Sequence, residues 1–172
     1  MPFRSFCRRL LLAFCLAACA FPAKAATACY SHEEMRAEQL LRLHSELMVI
    51  TAICRKGSGG QPLPQAYGSF TKTHIDVLHD AEQTLMDYYG ATLKGNSTRH
   101  LDTLRTRLAN EYGQKAATMT SPRFCAAFRD KVVHYRTASA EEVENEARLL
   151  ESTGKAYAPL CEEGRLAFKK SR

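Results

Sequence analysis

Apolar residues in this chain recur at three- and four-residue spacing, segment after segment, and nowhere sustain the alternation of a strand. Positions i, i+3, i+4 and i+7 share one face of an α-helix, whereas a half-buried strand needs period two. The first stripe holds Ala37, Leu40, Leu41, His44, Leu47, Met48 and Thr51. Ser31 with Glu34 opens it as a capping box, and it ends near Cys54. A second stripe carries Tyr67, Phe70, His74, Leu78, Ala81, Leu85 and Tyr89, after the Gly/Pro-rich loop "KGSGGQPLPQ". A third, capped by Ser97 or Thr98, runs through Leu101, Leu104, Leu108, Tyr112, Ala116 and Met119. Ser121-Pro122 opens a fourth with Phe124, Ala127, Phe128, Val132 and Tyr135 inward. Ser139 and Glu142 repeat the capping box for a fifth, which passes Leu149 and Leu150 and stops near Gly154. Stripes of this width predict an all-α, disulfide-stapled up-down helical bundle of four to five helices, each burying one face.

The first 25 residues follow different rules. Arg4, Arg8 and Arg9 precede the apolar run "LLLAFCLAACAF", and no acid occurs before Glu33. A basic start, a short apolar stretch and the small-x-small site "AKA" make a secretory signal peptide covering residues 1–25. Twelve apolar residues are too few for a spanning helix, which needs about 20. "LAAC", ending at Cys19, offers a second exit as a lipobox with an acylated cysteine, the lipoprotein alternative. Pro22 and the apolar run continuing to Phe21 favour cleavage after Ala25. The expected location is periplasmic or secreted, with a single domain over residues 26–172 and no transmembrane span.

Three of the seven cysteines fall in that leader, leaving Cys29, Cys54, Cys125 and Cys161. Four thiols in an exported chain read as two disulfides. In an up-down bundle Cys54 and Cys125 both lie at the top, and Cys161 returns towards Cys29 at the bottom. This favours Cys54–Cys125 with Cys29–Cys161 among three connectivities, unless the last helix carries Cys161 upward. Each closure contributes about 4 kcal/mol in the chain-entropy picture.

The leader also carries most of the net charge. Of 24 basic residues, Arg4, Arg8, Arg9 and Lys24 precede Ala26, leaving 20 against 18 acidic residues, a balance of +2. No basic stripe remains for nucleic acid, so no nucleic-acid partner is expected. The tail "FKKSR" reads as a solvated end. Asn96-Ser97-Thr98 fits a glycosylation acceptor but, in a bacterial chain, reads as loop and helix cap.

One lead concerns chemistry. His44 and His74 both sit within apolar stripes. Measured at 1.5 Å per residue from the tops of their helices, they lie about 15 and 10 Å down, within roughly one turn of each other. Glu111 and Tyr135 fall at comparable depth. The simplest expectation is a hydrogen-bonded layer that fixes helix register. The alternative is a metal site of His44, His74 and Glu111 for a divalent ion, or a haem held by the two histidines. The sequence lacks E-x-x-H, H-E-x-x-H, G-x-S-x-G and a glycine-rich phosphate loop, so no catalytic residue can be named and an enzyme is not the expectation. Tyr88-Tyr89 reads as core edge in preference to an exposed contact.

The segments "CYSHEEMRAEQLLRLHSELMVI", "YGSFTKTHIDVL", "RTRLANEYGQKAA" and "RFCAAF" resemble uncharacterised secreted helical proteins of bacteria, over residues 29 to about 128. That resemblance implies no activity and carries no functional residue. The expected role is a bacterial envelope protein that binds another envelope protein, in an inhibitor, immunity or assembly-accessory capacity, with no cofactor. A metal- or haem-binding bundle is the rival.

Overall fold

The computed structural model describes residues 28–161. Both cleavage sites, Cys19 and the "FKKSR" tail lie outside the described residues. Six α-helices follow one another: α1 (His32–Cys54), α2 (Leu63–Thr73), α3 (Ile75–Thr92), α4 (Ser97–Ala117), α5 (Ser121–Tyr135) and α6 (Ala140–Ser152). A 3-10 turn, Ser58–Gly60, interrupts the loop after α1. Among the described residues there are isolated bridges and no strand. The fold is all-α, as the periodicity requires.

Helix starts follow side-chain chemistry. Ser31 and Glu34 form the reciprocal capping box at α1, and Ser139 and Glu142 form it at α6. Each box satisfies donors that a helix start otherwise leaves bare. Two other starts lie one residue earlier than the sequence suggests. Asn96 caps α4 through its side chain to the Arg99 amide, and Thr120 precedes α5. The expected long second helix is broken at His74, which has φ −108° and ψ 21°. Its amide still donates to Phe70 O and its carbonyl accepts from Leu78, so the first helix ends and the next begins on this one residue. That break raises the number of helices among the described residues to six.

α1 departs most from the one-face expectation. It contacts all five other helices and forms the axis around which they pack. Leu41, Leu43, Leu47 and Ile50 are 0–1 % exposed. Each such burial contributes about 2 kcal/mol. Ala37, Leu40, Leu41, Leu47 and Thr51 of the expected stripe are buried, but the buried face of α1 is wider and shifted at its edge. Met48 is 40 % exposed and His44 half-buried, while Glu38, Arg42 and Glu46 point into the protein. Further out, Leu149 is exposed at 65 %, and Ala127, expected to face inward, faces solvent.

Cysteine pairing follows the up-down reasoning. Cys54–Cys125 ties the C-terminal end of α1 to the first turn of α5, with Cα atoms 5.4 Å apart. Cys29–Cys161 joins the two ends of the described chain, with Cα atoms 5.1 Å apart. The glycine-rich loop is pinned beside the first bridge. Ser58 donates from its amide (3.2 Å) and hydroxyl (2.6 Å) to Asp130 of α5. Gly57 donates to Gln61 O and lies against Val133, whose Cγ2 stands 2.6 Å from where a Cβ would be.

Gly57→Ala therefore forces α5 and the loop apart. Urea unfolding should show a loss of about 1–3 kcal/mol, the usual range for overpacking. Val133→Ala in the same chain should recover part of that loss.

Candidate binding cleft

The buried charges of α1 come first, because they position everything at the lower end of the bundle. Glu38, Arg42 and Glu46 recur every four residues, about 6 Å apart along the axis. Arg42 is 3 % exposed and donates from Nη2 to Glu38 Oε1 (2.8 Å) and from Nη1 to Glu111 Oε2 (2.6 Å). One turn on, Lys131 of α5 donates to Glu46 (2.7 Å) and to Glu146 of α6 (3.1 Å). Burial alone would lower the pKa of Arg42 and of Lys131, but their carboxylate partners outweigh it and raise both. Burial pushes Glu111 up, yet Lys155, Tyr157 and Arg42 together hold it below the ordinary carboxylate value.

The segment after α6 is laid across these charges as a strap. Gln39 Nε2 donates to Lys155 O (2.8 Å), and the Tyr157 amide donates to the Glu38 carboxylate (3.1 Å to Oε2). The Tyr157 hydroxyl donates to Glu111 Oε1 at 2.6 Å. Further along, the Tyr30 amide donates to Pro159 O (2.8 Å) and the Cys161 amide to Tyr30 O (2.9 Å), beside the Cys29–Cys161 bridge.

Between strap, α3 and α4 opens a cleft of about 320 Å³. Its floor is a cluster of phenols. The rings of Tyr30 and Tyr88 meet edge to face at 4.8 Å, those of Tyr88 and Tyr89 at 5.4 Å, and the Tyr30 and Tyr89 hydroxyls lie 3.4 Å apart. Burial first, then the bond to Tyr89, drives the Tyr30 phenol far above its ordinary pKa, so it stays protonated. On α4, His100, Thr103 and Arg107 face the cleft at three- and four-residue spacing. Tyr157 and Pro159 form the opposite lip. The guanidinium carbons of Arg107 and Arg42 stand 5.5 and 5.8 Å from the Tyr157 ring centre. Phenol pairs of this kind present flat apolar faces with polar rims, a surface suited to recognition.

The expected histidine layer is dispersed. His44 Nε2 is hydrogen-bonded to the Tyr67 hydroxyl (2.7 Å), with the rings stacked. His74 donates from Nε2 to Ala138 O (3.1 Å). Glu111 serves Arg42, Lys155 and Tyr157, while Tyr135 lies near Lys131, its ring centre 5.9 Å from Nζ. Among the described residues no three His, Cys, Asp or Glu side chains converge so as to hold a metal ion. His44, His74 and Glu111 therefore do not form one site. Tyr88 and Tyr89 are buried, as the core-edge reading held. Sequence reasoning did not single out Tyr30, Arg107 or Tyr157. The four-residue repeat of Glu38, Arg42 and Glu46 inside a leucine-rich helix was the available signal for the charges beneath the strap.

Two outcomes follow from these charges. Arg42→Ala leaves Glu38 buried without its cation and should destabilise by about 3–5 kcal/mol in denaturant titrations, whereas Glu38→Gln with Arg42→Met should recover most of it. Burial first, and Arg105 second, depress His44 to about 4 from 6.5. The unfolded chain then takes up a proton that the folded chain refuses, so this contribution is whole above pH 6.5 and is lost as pH falls towards 4. His44→Gln should flatten the decline of the urea midpoint between pH 7 and pH 5.

No protein-family model, no curated protein and no solved structure matches the chain, so the chemistry of the cleft carries the functional reading by itself.

Proposed function

We propose that the chain is an exported bacterial envelope protein that matures at Ala26 and acts by binding another envelope protein through the tyrosine-lined cleft. The observation that carries this reading is the cleft, in which four phenols and Arg107 surround about 320 Å³ under a disulfide-tied strap. Aromatic and arginine side chains held in a fixed pocket are the groups that dominate recognition energy. The two disulfides suit an oxidising compartment. Among the described residues no helix is long and apolar enough to cross a membrane, which agrees with a mature chain that is exported without a spanning anchor. The capacity we assign it is that of an inhibitor, immunity or assembly-accessory protein.

The test is intact-mass analysis of the full chain, produced with its leader in a bacterial host and recovered from the envelope fraction. The expected species begins at Ala26 and is four protons light. Capture of one envelope protein should be lost in the Tyr157→Ala and Arg107→Ala variants while their disulfides persist. An uncleaved cytosolic chain, or acylation at Cys19, overturns the export reading as stated. Capture indifferent to both variants overturns the cleft. A haem or metal mass that disappears with His44→Gln and His74→Gln would replace binding of a protein with binding of a cofactor.

A further inference from the structure

Resting on the reading of the cleft as a binding site, we infer that it takes a single carboxylate carried on a flat ring or similar apolar body. The argument begins with charge. The cleft is lined by His100 and Arg107 but by no aspartate or glutamate among the described residues. Behind its wall, the carboxylates of Glu38 and Glu111 are matched by Arg42 and Lys155, two by two. Arg107 is the fifth charge. It makes no ion pair among the described residues and rests on the Tyr157 ring at 5.5 Å. One cation without a counter-ion, at the mouth of a pocket with apolar ring walls, selects one anion. A guanidinium fork takes a carboxylate by two parallel hydrogen bonds.

The same geometry disfavours the opposite ligand. A phenol-walled pocket can serve as a cage for ammonium groups, through the negative faces of its rings. Here the Tyr157 ring already has two guanidinium groups within 6 Å of its centre, from Arg107 and Arg42. An incoming ammonium would meet both positive charges and no carboxylate on the lining.

Shape supplies the rest. A volume of about 320 Å³ lies at the small end of ligand pockets, which suits one ring with its carboxylate better than an extended chain. Thr103, one turn from Arg107 on α4, donates its hydroxyl to Arg99 O at 2.8 Å, which leaves Arg107 as the charged donor on this wall. His100 is held by donation from Nε2 to Lys94 O at 3.0 Å, which fixes its ring against Tyr89 at 5.7 Å. The carboxylate therefore sits at Arg107, and the ring lies against the phenol floor of the cleft. A free aromatic acid and the carboxyl-terminal aromatic residue of a polypeptide present this same chemistry.

Calorimetric titration of the mature, disulfide-bonded protein tests it with four probes: N-acetyl-phenylalanine, its amide, phenethylammonium, and a hexapeptide ending in phenylalanine with a free carboxylate. The free acid should bind at least tenfold more tightly than the amide, and more weakly as salt is raised. Arg107→Gln, a change at an exposed side chain, should remove that difference, and Arg107→Lys should keep part of it. Hexapeptide binding tenfold tighter than the free acid assigns a chain end as the source; equal binding assigns a small molecule. Binding of the amide or of phenethylammonium as tight as the acid overturns the anion inference and leaves the cleft as a binding site. If none of the four binds, the inference falls, and the partner-capture result on Tyr157→Ala separately decides the fate of the cleft.

Discussion

Arg42 is the residue on which the lower half of this bundle depends. A guanidinium 3 % exposed to solvent loses most of its hydration, and that loss is offset only because Glu38 and Glu111 approach from two sides. Glu38 comes from α1 itself and Glu111 from α4, so the pair exists only when those helices hold one relative rotation. Lys131 sets the same condition one turn further on, between Glu46 of α1 and Glu146 of α6. An apolar helix side that shifts against its neighbours loses packing but can find new apolar contacts. A buried charge ladder has no such recourse, because a misaligned rung leaves an uncompensated ion in a medium of low polarity. The ladder therefore acts chiefly on specificity of packing, and the leucines of α1 supply the bulk of the driving force.

This ladder also explains where the strap lies. Glu38 has a second carboxylate oxygen to satisfy after Arg42, and the Tyr157 amide reaches it. Glu111 likewise accepts from the Tyr157 hydroxyl and from Lys155 in addition to Arg42. Segment 155–161 is thus drawn onto the charges by their remaining hydrogen-bonding capacity, and Cys29–Cys161 with the Tyr30–Leu160 bridge fastens its far end. Core electrostatics and cleft architecture are one structure.

Local chemistry and the apolar stripes were legible in the sequence; the full width of the buried face of α1 was not. Both capping boxes lie where Ser31/Glu34 and Ser139/Glu142 place them, and the cysteine pairs follow from helix direction. Each of these depends on contacts close in sequence or on a single topological rule. The width of that face depends on neighbours all round. The stripe through Leu40, Leu41 and Leu47 is buried as its spacing requires, but because five helices pack around α1 the face with Glu38, Arg42 and Glu46 is buried as well. His44 was expected to point to the centre; it stands beside Tyr67, on the side nearer to solvent. The cleft was beyond reach for a related reason. Tyr30, the Tyr88-Tyr89 pair, Arg107 and Tyr157 come from four separate segments, and no spacing in the chain joins them.

Tyr157 connects the stability of the fold to the behaviour of the cleft. Its amide is held by Glu38, its hydroxyl by Glu111, and the guanidinium groups of Arg42 and Arg107 stand within 6 Å of its ring centre. Burial first, then the Glu111 carboxylate, pushes its phenol up to about 12, so the donated hydrogen is retained across the physiological range. Turning the ring would break the bond to Glu111 and strip Arg107 of its aromatic seat. The lip of the cleft is thereby held in one conformation by contacts of the fold itself. The buried charges that are difficult to justify as a source of stability are, on this account, what holds the lip of the cleft in place.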